Sequence, residues 1–367
     1  MQIIATMAAA IVVVLALYIL MVRIITRSLE ARAFSDHLVE ETASYPSVSV
    51  VVAFRNEAVN LPRLLKALQE QDFTGSWEVV LVDDHSCDGA IAAGLHPPFR
   101  LLALPKGKNG KKAALHHGIA NAVGEIVITT DADARPGPGW IREVAGCFAR
   151  DAGLHMLSGP VALEGDGWFA RLQAMELATV MAVTAITTEA GFPLMANGAN
   201  LTFKRKDFLD AGGYAGNAHI ASGDDHFLLQ SFHRHWPGGV RFRFDPRMVV
   251  RTDASLDVGS FLRQRIRWAS KWRSDPGPAL AALTALSVQV ATILVAPVAW
   301  QTGQPGLLIL LAARWLTEYL LLRVTSRWLD HPLRVTDFLL LVLVYPWYVT
   351  TTAVGTLGPS PEWKGRS

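Results

Sequence analysis

The feature that most constrains this chain is an uninterrupted apolar run from Ile3 to Val22. A helix needs about 20 such residues to cross a bilayer. A cleaved signal would want a basic start and small residues after a shorter core. This run begins at Met1-Gln2 and ends in Met21-Val22-Arg23, which predicts a retained anchor over residues 1–25. Arg23, Arg27 and Arg32 follow at once, and by the positive-inside tendency they place the next domain in the cytoplasm. Three further apolar runs, Ala279–Trp300, Gly306–Leu322 and Phe338–Leu357, make 278–358 a second membrane region of about three segments. Arg323, Arg327 and Arg334 between the last two predict a cytoplasmic loop. Tyr345-Pro346 interrupts the last run and predicts a kink or a re-entrant segment. The tail Glu362-Trp363-Lys364-Gly365-Arg366 reads as cytoplasmic or interfacial. Together these runs describe a multi-pass protein of the cell (inner or plasma) membrane. Arg314 and Glu318, four apart in an apolar run, read as a structural ion pair, with a role in ligand binding as the alternative.

Composition agrees with a divided chain. At 51% hydrophobic it is too apolar for an ordinary soluble protein, and at 18% charged too polar to lie wholly in lipid. The 34 basic and 32 acidic residues nearly cancel, so nothing favours nucleic acid as a partner. Cys87 and Cys147 alone exclude a disulfide framework and a multi-cysteine zinc site, and fit a reducing compartment. The histidine pairs His116-His117 and His233/His235 lack a third zinc ligand at suitable spacing.

Between the anchors, residues 46–273 alternate strands with helices. Val48–Ala53, Trp77–Val82, Phe99–Leu104 and Glu125–Thr130 read as strands, and 60–71 and 111–123 as helices. This alternation predicts an α/β domain with a mostly parallel sheet covered on both faces. Ligands in such sheets bind beyond the carboxyl ends of the strands. A dinucleotide fingerprint is excluded, because the first strand runs into Phe54-Arg55-Asn56-Glu57 with no glycine. A P-loop is excluded because Gly107-Lys108-Asn109-Gly110-Lys111-Lys112 lacks the Ser/Thr.

Four polar clusters sit where such a sheet would place a site. Asp83-Asp84-His85-Ser86-Cys87-Asp88-Gly89 ends the second strand and would bind a nucleoside, or form a turn with an N-cap at Ser86. Thr129-Thr130-Asp131-Ala132-Asp133 ends the fourth. Two aspartates one residue apart suit Mg²⁺ or Mn²⁺ shared with a substrate's phosphates. Ala221-Ser222-Gly223-Asp224-Asp225-His226 places carboxylates at a helix start, where they satisfy the dipole or supply a general base. Gln264-Arg265-Ile266-Arg267-Trp268, before Lys271-Trp272-Arg273, is an interfacial basic helix near 260–273, or a diphosphate contact through Arg267 with Trp268 as an acceptor wall.

In this order and spacing the clusters closely resemble membrane-bound glycosyltransferases of family 2, which have a GT-A (Rossmann-like) fold. The similarity covers roughly Pro46 to Trp272 and the flanking membrane segments. It implies that Glu57, Asp83, Asp84 and Ser86 serve the donor nucleoside side, and Gly110, Lys111, Ala114 and Leu115 the segment beside it. It implies metal at Asp131 and Asp133, a base in the Asp224-Asp225 pair with Asp225 the better match, and Gln264, Arg267 and Trp268 as the Gln-x-x-Arg-Trp motif. Asn197 and Gly198 fall where the family lines the acceptor site; a structural turn is the plain alternative. Departures are Ala53 for a frequent proline, His116 for asparagine, and Asp253-Ala254-Ser255 for Glu-x-Pro.

The resemblance implies an inverting, metal-assisted transfer from a UDP- or GDP-sugar. About four apolar segments are few for a polysaccharide channel, which favours single transfer to a membrane lipid over a processive synthase. The apolar stretch Trp168–Thr187 would present Met175 and Met181 to a lipid, or be a buried core helix. A non-catalytic sugar-nucleotide sensor would need neither the base nor Gln-x-x-Arg-Trp.

Overall fold

The computed structural model describes residues 2–33, 44–90, 95–217, 223–270 and 276–358. Helix α1 (Gln2–Ala33) is followed by β1 (Val48–Phe54), α2 (Leu61–Gln69), β2 (Trp77–Asp83), β3 (Phe99–Ala103) and α3 (Lys111–Asn121). Next come β4 (Ile126–Thr130), β5 (Arg135–Pro136), α4 (Trp140–Arg150), β6 (Met156–Ser158), β7 (Val161–Glu164) and α5 (Gly167–Glu189). Then β8 (Leu201–Lys204), α6 (Arg205–Asp210), α7 (Asp224–His235), β9 (Val240–Phe242) and β10 (Val250–Asp253). Helices α8 (Val258–Ser270), α9 (Pro276–Thr302), α10 (Gly306–Trp328) and α11 (Val335–Gly355) close the chain. Ala221-Ser222, Lys271-Trp272-Arg273 and the tail from Glu362 lie outside the described residues.

Two compact units form, one from Met1–Ser35, Gly165–Val183 and Ala254–Ser367, the other from Asp36–Glu164 and Thr184–Asp253. The second is α/β. Its main sheet has seven strands in the order β3-β2-β1-β4-β8-β6-β9. The first four are mutually parallel, as expected; β8 runs antiparallel between β4 and β6. Strands β1, β2 and β4 are nearly all apolar because both faces are covered. Val48, Val50, Val52 and Phe54 pack with Leu61, Leu64 and Leu68 of α2 and Trp140, Ile141 and Val144 of α4. Val51, Ala53, Val80 and Val82 pack on the other face with Ala114, Leu115 and Ile119 of α3 and Leu228, Leu229 and Phe232 of α7. Gly118 is required there: a Cβ would come within 2.5 Å of Val51 and 2.9 Å of Val82.

Register decides where the site lies. Phe54 pairs with Asp83 and Val52 with Thr130, so β1, β2 and β4 end together at one sheet edge. A second sheet, β5-β10-β7, is pinned by Arg135, whose Nη2 reaches Glu164 at 3.0 Å and Asp253 at 2.7 Å.

The other unit is helical. Segments Gln2–Ala31, Gly167–Glu189, Ala279–Thr302 and Val335–Gly355 are long and apolar enough to cross a membrane. The expected segment Gly306–Leu322 forms α10, whose first 18 residues carry Arg314, Glu318 and Arg323 and so fall outside that set. The stretch Trp168–Thr187 belongs to α5 and is mostly buried. Helix α11 continues through Pro346. The expected Arg314–Glu318 ion pair is present at 2.9 Å, with Arg314 3% exposed. Arg314 also bonds Gln289 and Thr292 of α9, and Tyr18 of α1 donates to Glu318 at 2.7 Å.

Candidate active site

Three loops leave the common edge of β1, β2 and β4. After β1, Asn56 takes a positive φ of 53°, a conformation asparagine tolerates better than most residues. Its backbone N–H donates to Ser86 Oγ at 3.0 Å and its side-chain oxygen accepts from Cys87 N–H at 2.9 Å. Asp88 accepts from Ala58 N–H at 2.8 Å. The first two loops are therefore laced together, and Ser86, one alternative for which was a helix N-cap, serves as an acceptor for the neighbouring loop. Glu57 accepts from Asn60 at 2.8 Å.

The two aspartates ending β2 are not equivalent. Asp84 is 1% exposed and accepts from Gly110 N–H at 3.1 Å, fastening the β2 edge to the start of α3. Burial pushes its carboxyl up, tempered by that bond and by the Arg55 guanidinium. Gly110 supplies the turn with a φ of 95°. Asp83 is half-buried, and its Oδ1 accepts from Ser86 N–H at 2.9 Å. The side chain more open to a ligand is thus Asp83.

Lys111 opens α3 and ties the remaining clusters. Its Nζ lies 2.7 Å from Asp131 Oδ1 and 3.4 Å from Asp224 Oδ2. Burial alone would lower its pKa; Asp131, Asp224 and Asp225 outweigh that and hold the ammonium above its ordinary range. Asp133, by contrast, has its carboxyl pushed up to about 6, first by burial, then by the charges of Asp131 and Glu57. That excess of negative charge is what a divalent cation relieves. Asp131 and Asp133 therefore fit such an ion. Among the described residues no group of three or more His, Cys, Asp or Glu is placed to hold a metal without other ligands.

Asp224 and Asp225 begin α7 after Gly223, whose φ is 81°. Asp224 is buried and carries the Lys111 contact; Asp225 is half-buried and its Oδ1 accepts from His226 N–H at 2.8 Å. Asn197 and Gly198 complete the ring. Asn197 Oδ1 caps Ala199 N–H at 3.0 Å, and Thr130 Oγ1 donates to Ala199 O at 2.8 Å, so the end of β4 holds this turn. A Cβ on Gly198 would lie 3.4 Å from both Asp224 Oδ2 and Lys111 Nζ. Glu57, Lys111, Asp131, Asp133, Gly198, Asp224 and Asp225 thus share one neighbourhood. Gln264, Arg267 and Trp268 lie on α8 in the helical unit. There Gln264 accepts from Arg265 at 2.8 Å, and the Arg265 guanidinium sits 4.3 Å from the Trp268 ring.

Residues 49–211 match the sequence model of glycosyl transferase family 2. This domain belongs to that family. The chain is similar to an N-acetylglucosaminyltransferase of Mesorhizobium japonicum, 26% identical over 260 residues, covering 66% of this chain and 60% of the relative. A beta-monoglucosyldiacylglycerol synthase of Synechocystis sp. is 29% identical over 239 residues, covering 62% of this chain and 48% of the relative. The chain therefore spans about half to three-fifths of the length of these two relatives. In fold it is similar to a mannosyltransferase from Pyrobaculum calidifontis solved with GDP-Man and Mn²⁺. That match has a TM-score of 0.55 and 20% identity, and covers 97% of this chain and 98% of the other. The expected GT-A architecture of the family 2 domain is borne out.

Two residues that matter here escaped the sequence reading. Asn200 is 1% exposed; it donates to Pro160 O at 2.9 Å and Met248 O at 2.8 Å and accepts from Trp140 Nε1 at 3.0 Å. It bolts the turn at residues 197–200 to the residues that lead into β7 and β10 and to the start of α4. Tyr214 is buried, and burial first, then Asp224, pushes its phenol well above the ordinary range. Neither carries a local signal.

Proposed function

We propose that the protein is an inverting glycosyltransferase that moves one sugar from a nucleotide-sugar to a hydroxyl of a membrane lipid. The observation that carries this reading is Lys111 Nζ, within 2.7 Å of Asp131 and 3.4 Å of Asp224. It joins the carboxylates suited to a donor's diphosphate to those suited to activating an acceptor. Asp83 receives the nucleoside, with Asp84 and Glu57 setting its loops. Asp131 and Asp133 would hold Mg²⁺ or Mn²⁺ together with the donor phosphates, and such an ion neutralises charge on the departing nucleoside diphosphate. Lys111, beside Asp131, adds a fixed positive charge there. On the family resemblance, Gln264 and Arg267 of the helical unit are assigned to donor binding, and Trp268 to donor and acceptor binding.

Asp225 is the base. Asp224 Oδ2 is already engaged by Lys111 Nζ at 3.4 Å. The acceptor hydroxyl, lodged near Asn197 and Gly198, loses its proton to Asp225. Its oxygen bonds to the anomeric carbon while the bond from that carbon to the diphosphate oxygen breaks on the opposite face. The catalytic domain lies on the cytoplasmic side. The lipid acceptor is supported by the apolar helices and by the similarity to the beta-monoglucosyldiacylglycerol synthase of Synechocystis.

The test incubates the purified full chain with UDP-Glc, UDP-GlcNAc or GDP-Man, diacylglycerol and total membrane lipids, and Mn²⁺ or Mg²⁺. Mass spectrometry should show one lipid gaining one sugar. A ladder of products would instead establish a processive synthase, and nucleotide binding without transfer a sensor. Asp225→Asn should abolish transfer and leave nucleotide binding intact; normal turnover would remove Asp225 as the base.

A further inference from the structure

The helix α8 carries two kinds of residue in its Gln-x-x-Arg-Trp segment. Gln264, Arg267 and Trp268 are half-buried, whereas Arg265 is 3% exposed. A guanidinium that deep needs a partner, and it has one. Arg265 Nη2 and Nε lie 2.6 and 3.1 Å from Glu176 Oε2, the carboxylate of a glutamate on helix α5. Glu176 is 7% exposed, and its other oxygen accepts from Tyr348 on α11 at 3.1 Å. On α8 Arg265 engages both ends of the segment, and Phe261 one turn before it. Nη1 donates to Gln264 Oε1 at 2.8 Å. The guanidinium lies between the rings of Phe261 (4.8 Å) and Trp268 (4.3 Å), at i−4 and i+3. Those offsets share a helix face, so the stack is built into the helical spacing.

Ile266 is seated as well. A Cβ on Gly355 of α11 would fall 2.5 Å from Ile266 Cδ1, so only glycine lets α8 sit where it does. The two residues inside the motif are thus its fixings, and the two ends of the motif hang from Arg265.

We propose that Arg265 is a positioning residue. Held by Glu176 and Tyr348, it fixes the orientation of Gln264 and Trp268 so that α8 presents them to substrate. This rests on the functional reading of Gln264, Arg267 and Trp268 given above. A pair kept only for stability would have no need to engage both ends of the segment.

The variants Arg265→Gln, Glu176→Gln, Tyr348→Phe and Glu176→Gln/Arg265→Gln separate positioning from stability. Each single charge deletion leaves its partner buried and uncompensated; the double variant does not, and should melt near the parent. Orientation is read from Trp268 emission, isolated as the difference between each protein and its W268F counterpart in detergent. In the double variant and in R265Q this emission should shift to the red and become more open to acrylamide. Nucleoside diphosphate release from UDP-Glc, UDP-GlcNAc and GDP-Man, with Mn²⁺ and diacylglycerol vesicles, should fall about 10- to 100-fold, the range expected when a substrate contact is displaced. Y348F, which removes one hydrogen bond and should fold, is expected to show a smaller change in both readouts.

The proposal is overturned if the double variant regains both the parental Trp268 emission and parental turnover, since the pair would then be structural alone. It is also overturned if R265Q folds with Trp268 emission unchanged. R267A or W268F turning over normally would instead sink the functional reading of the motif, and leaves the emission result to decide the role of Arg265.

Discussion

Replacing Lys111 by methionine should destabilise the α/β unit while removing nothing from its apolar core. The ammonium stands 2.7 Å from Asp131 and 3.4 Å from Asp224. At an effective dielectric of about 20 these separations correspond to roughly 6 and 5 kcal/mol of gross attraction. Bringing an ammonium to 19% side-chain exposure costs several kcal/mol of that. Losing one partner of a buried pair usually costs about 3–5 kcal/mol. Asp131 has 36% side-chain exposure and is screened by water, so the lower end, about 3 kcal/mol, is the expectation. For a unit of this size that lowers Tm by about 6–12 °C, read by thermal unfolding in detergent at pH 7.5 without metal. Neutralising the stranded charge as well, in Lys111→Met/Asp131→Asn, should recover part of the loss. Mn²⁺ should raise the Tm of K111M more than that of the parent, because the cation then meets an uncompensated Asp131. If K111M melts within a degree of the parent, or the double variant is no better than the single, the central role assigned to Lys111 is wrong.

Three further outcomes are expected. Gly198→Ala adds a methyl at ordinary contact distance from Asp224 and Lys111, so Tm should barely move while sugar transfer falls at least about tenfold; unchanged transfer would take Gly198 out of the acceptor side. In the helical unit, Glu318→Gln should cost about 3–5 kcal/mol by stranding Arg314, whereas Arg314→Met/Glu318→Leu should lie close to the parent; additive losses in thermal unfolding would contradict the pairing. Asp245 is pushed up by burial but pulled down further by its bonds to Arg247, leaving a net lowered carboxyl. Its stabilising contribution is present above the ordinary value of 3.8 and is lost as pH falls through the lowered one, so Asp245→Asn should flatten the acid limb of Tm against pH.

What the sequence made legible follows from the range of the interactions involved. The strands at 48, 77 and 126 were readable because a parallel strand buried on both faces must be apolar along its length, a signal complete within about six residues. The clusters at their ends were readable for the same reason: register carries Arg55-Asn56-Glu57, Asp83-Asp84 and Asp131-Asp133 to one edge once the strands are parallel. The Arg314–Glu318 pair was visible because it is an i,i+4 contact. Its partner Tyr18, 300 residues away, was not. Likewise no local pattern announces that Asp84 will be spent on Gly110, that Asn200 will hold Trp140, or that Lys111 will stand between Asp131 and Asp224. The second sheet escaped too, because β5 is two residues long and β10 begins on an unremarkable Val-Arg.

Helices α5 and α10 differ in hydropathy but share a way of partnering their polar residues. By length and composition α5 passes as a membrane span and α10 does not, since α10 carries three ionisable residues in its first 18. Yet α5 bears Arg171, Gln173 and Glu176, each matched to a distant partner: Asp337 at 2.5 Å, Ser255 at 2.9 Å through both backbone groups, and Arg265 at 2.6 Å. Arg314 and Glu318 of α10 are matched as well, to each other and to Tyr18, Gln289 and Thr292. Hydropathy counts a polar atom as a cost wherever it occurs. A paired one costs little, and what it adds is a fixed orientation for its helix. The polar residues of α5 are therefore read as the points at which an apolar helix is fixed to its neighbours, with Glu176 the one that reaches the Gln-x-x-Arg-Trp segment.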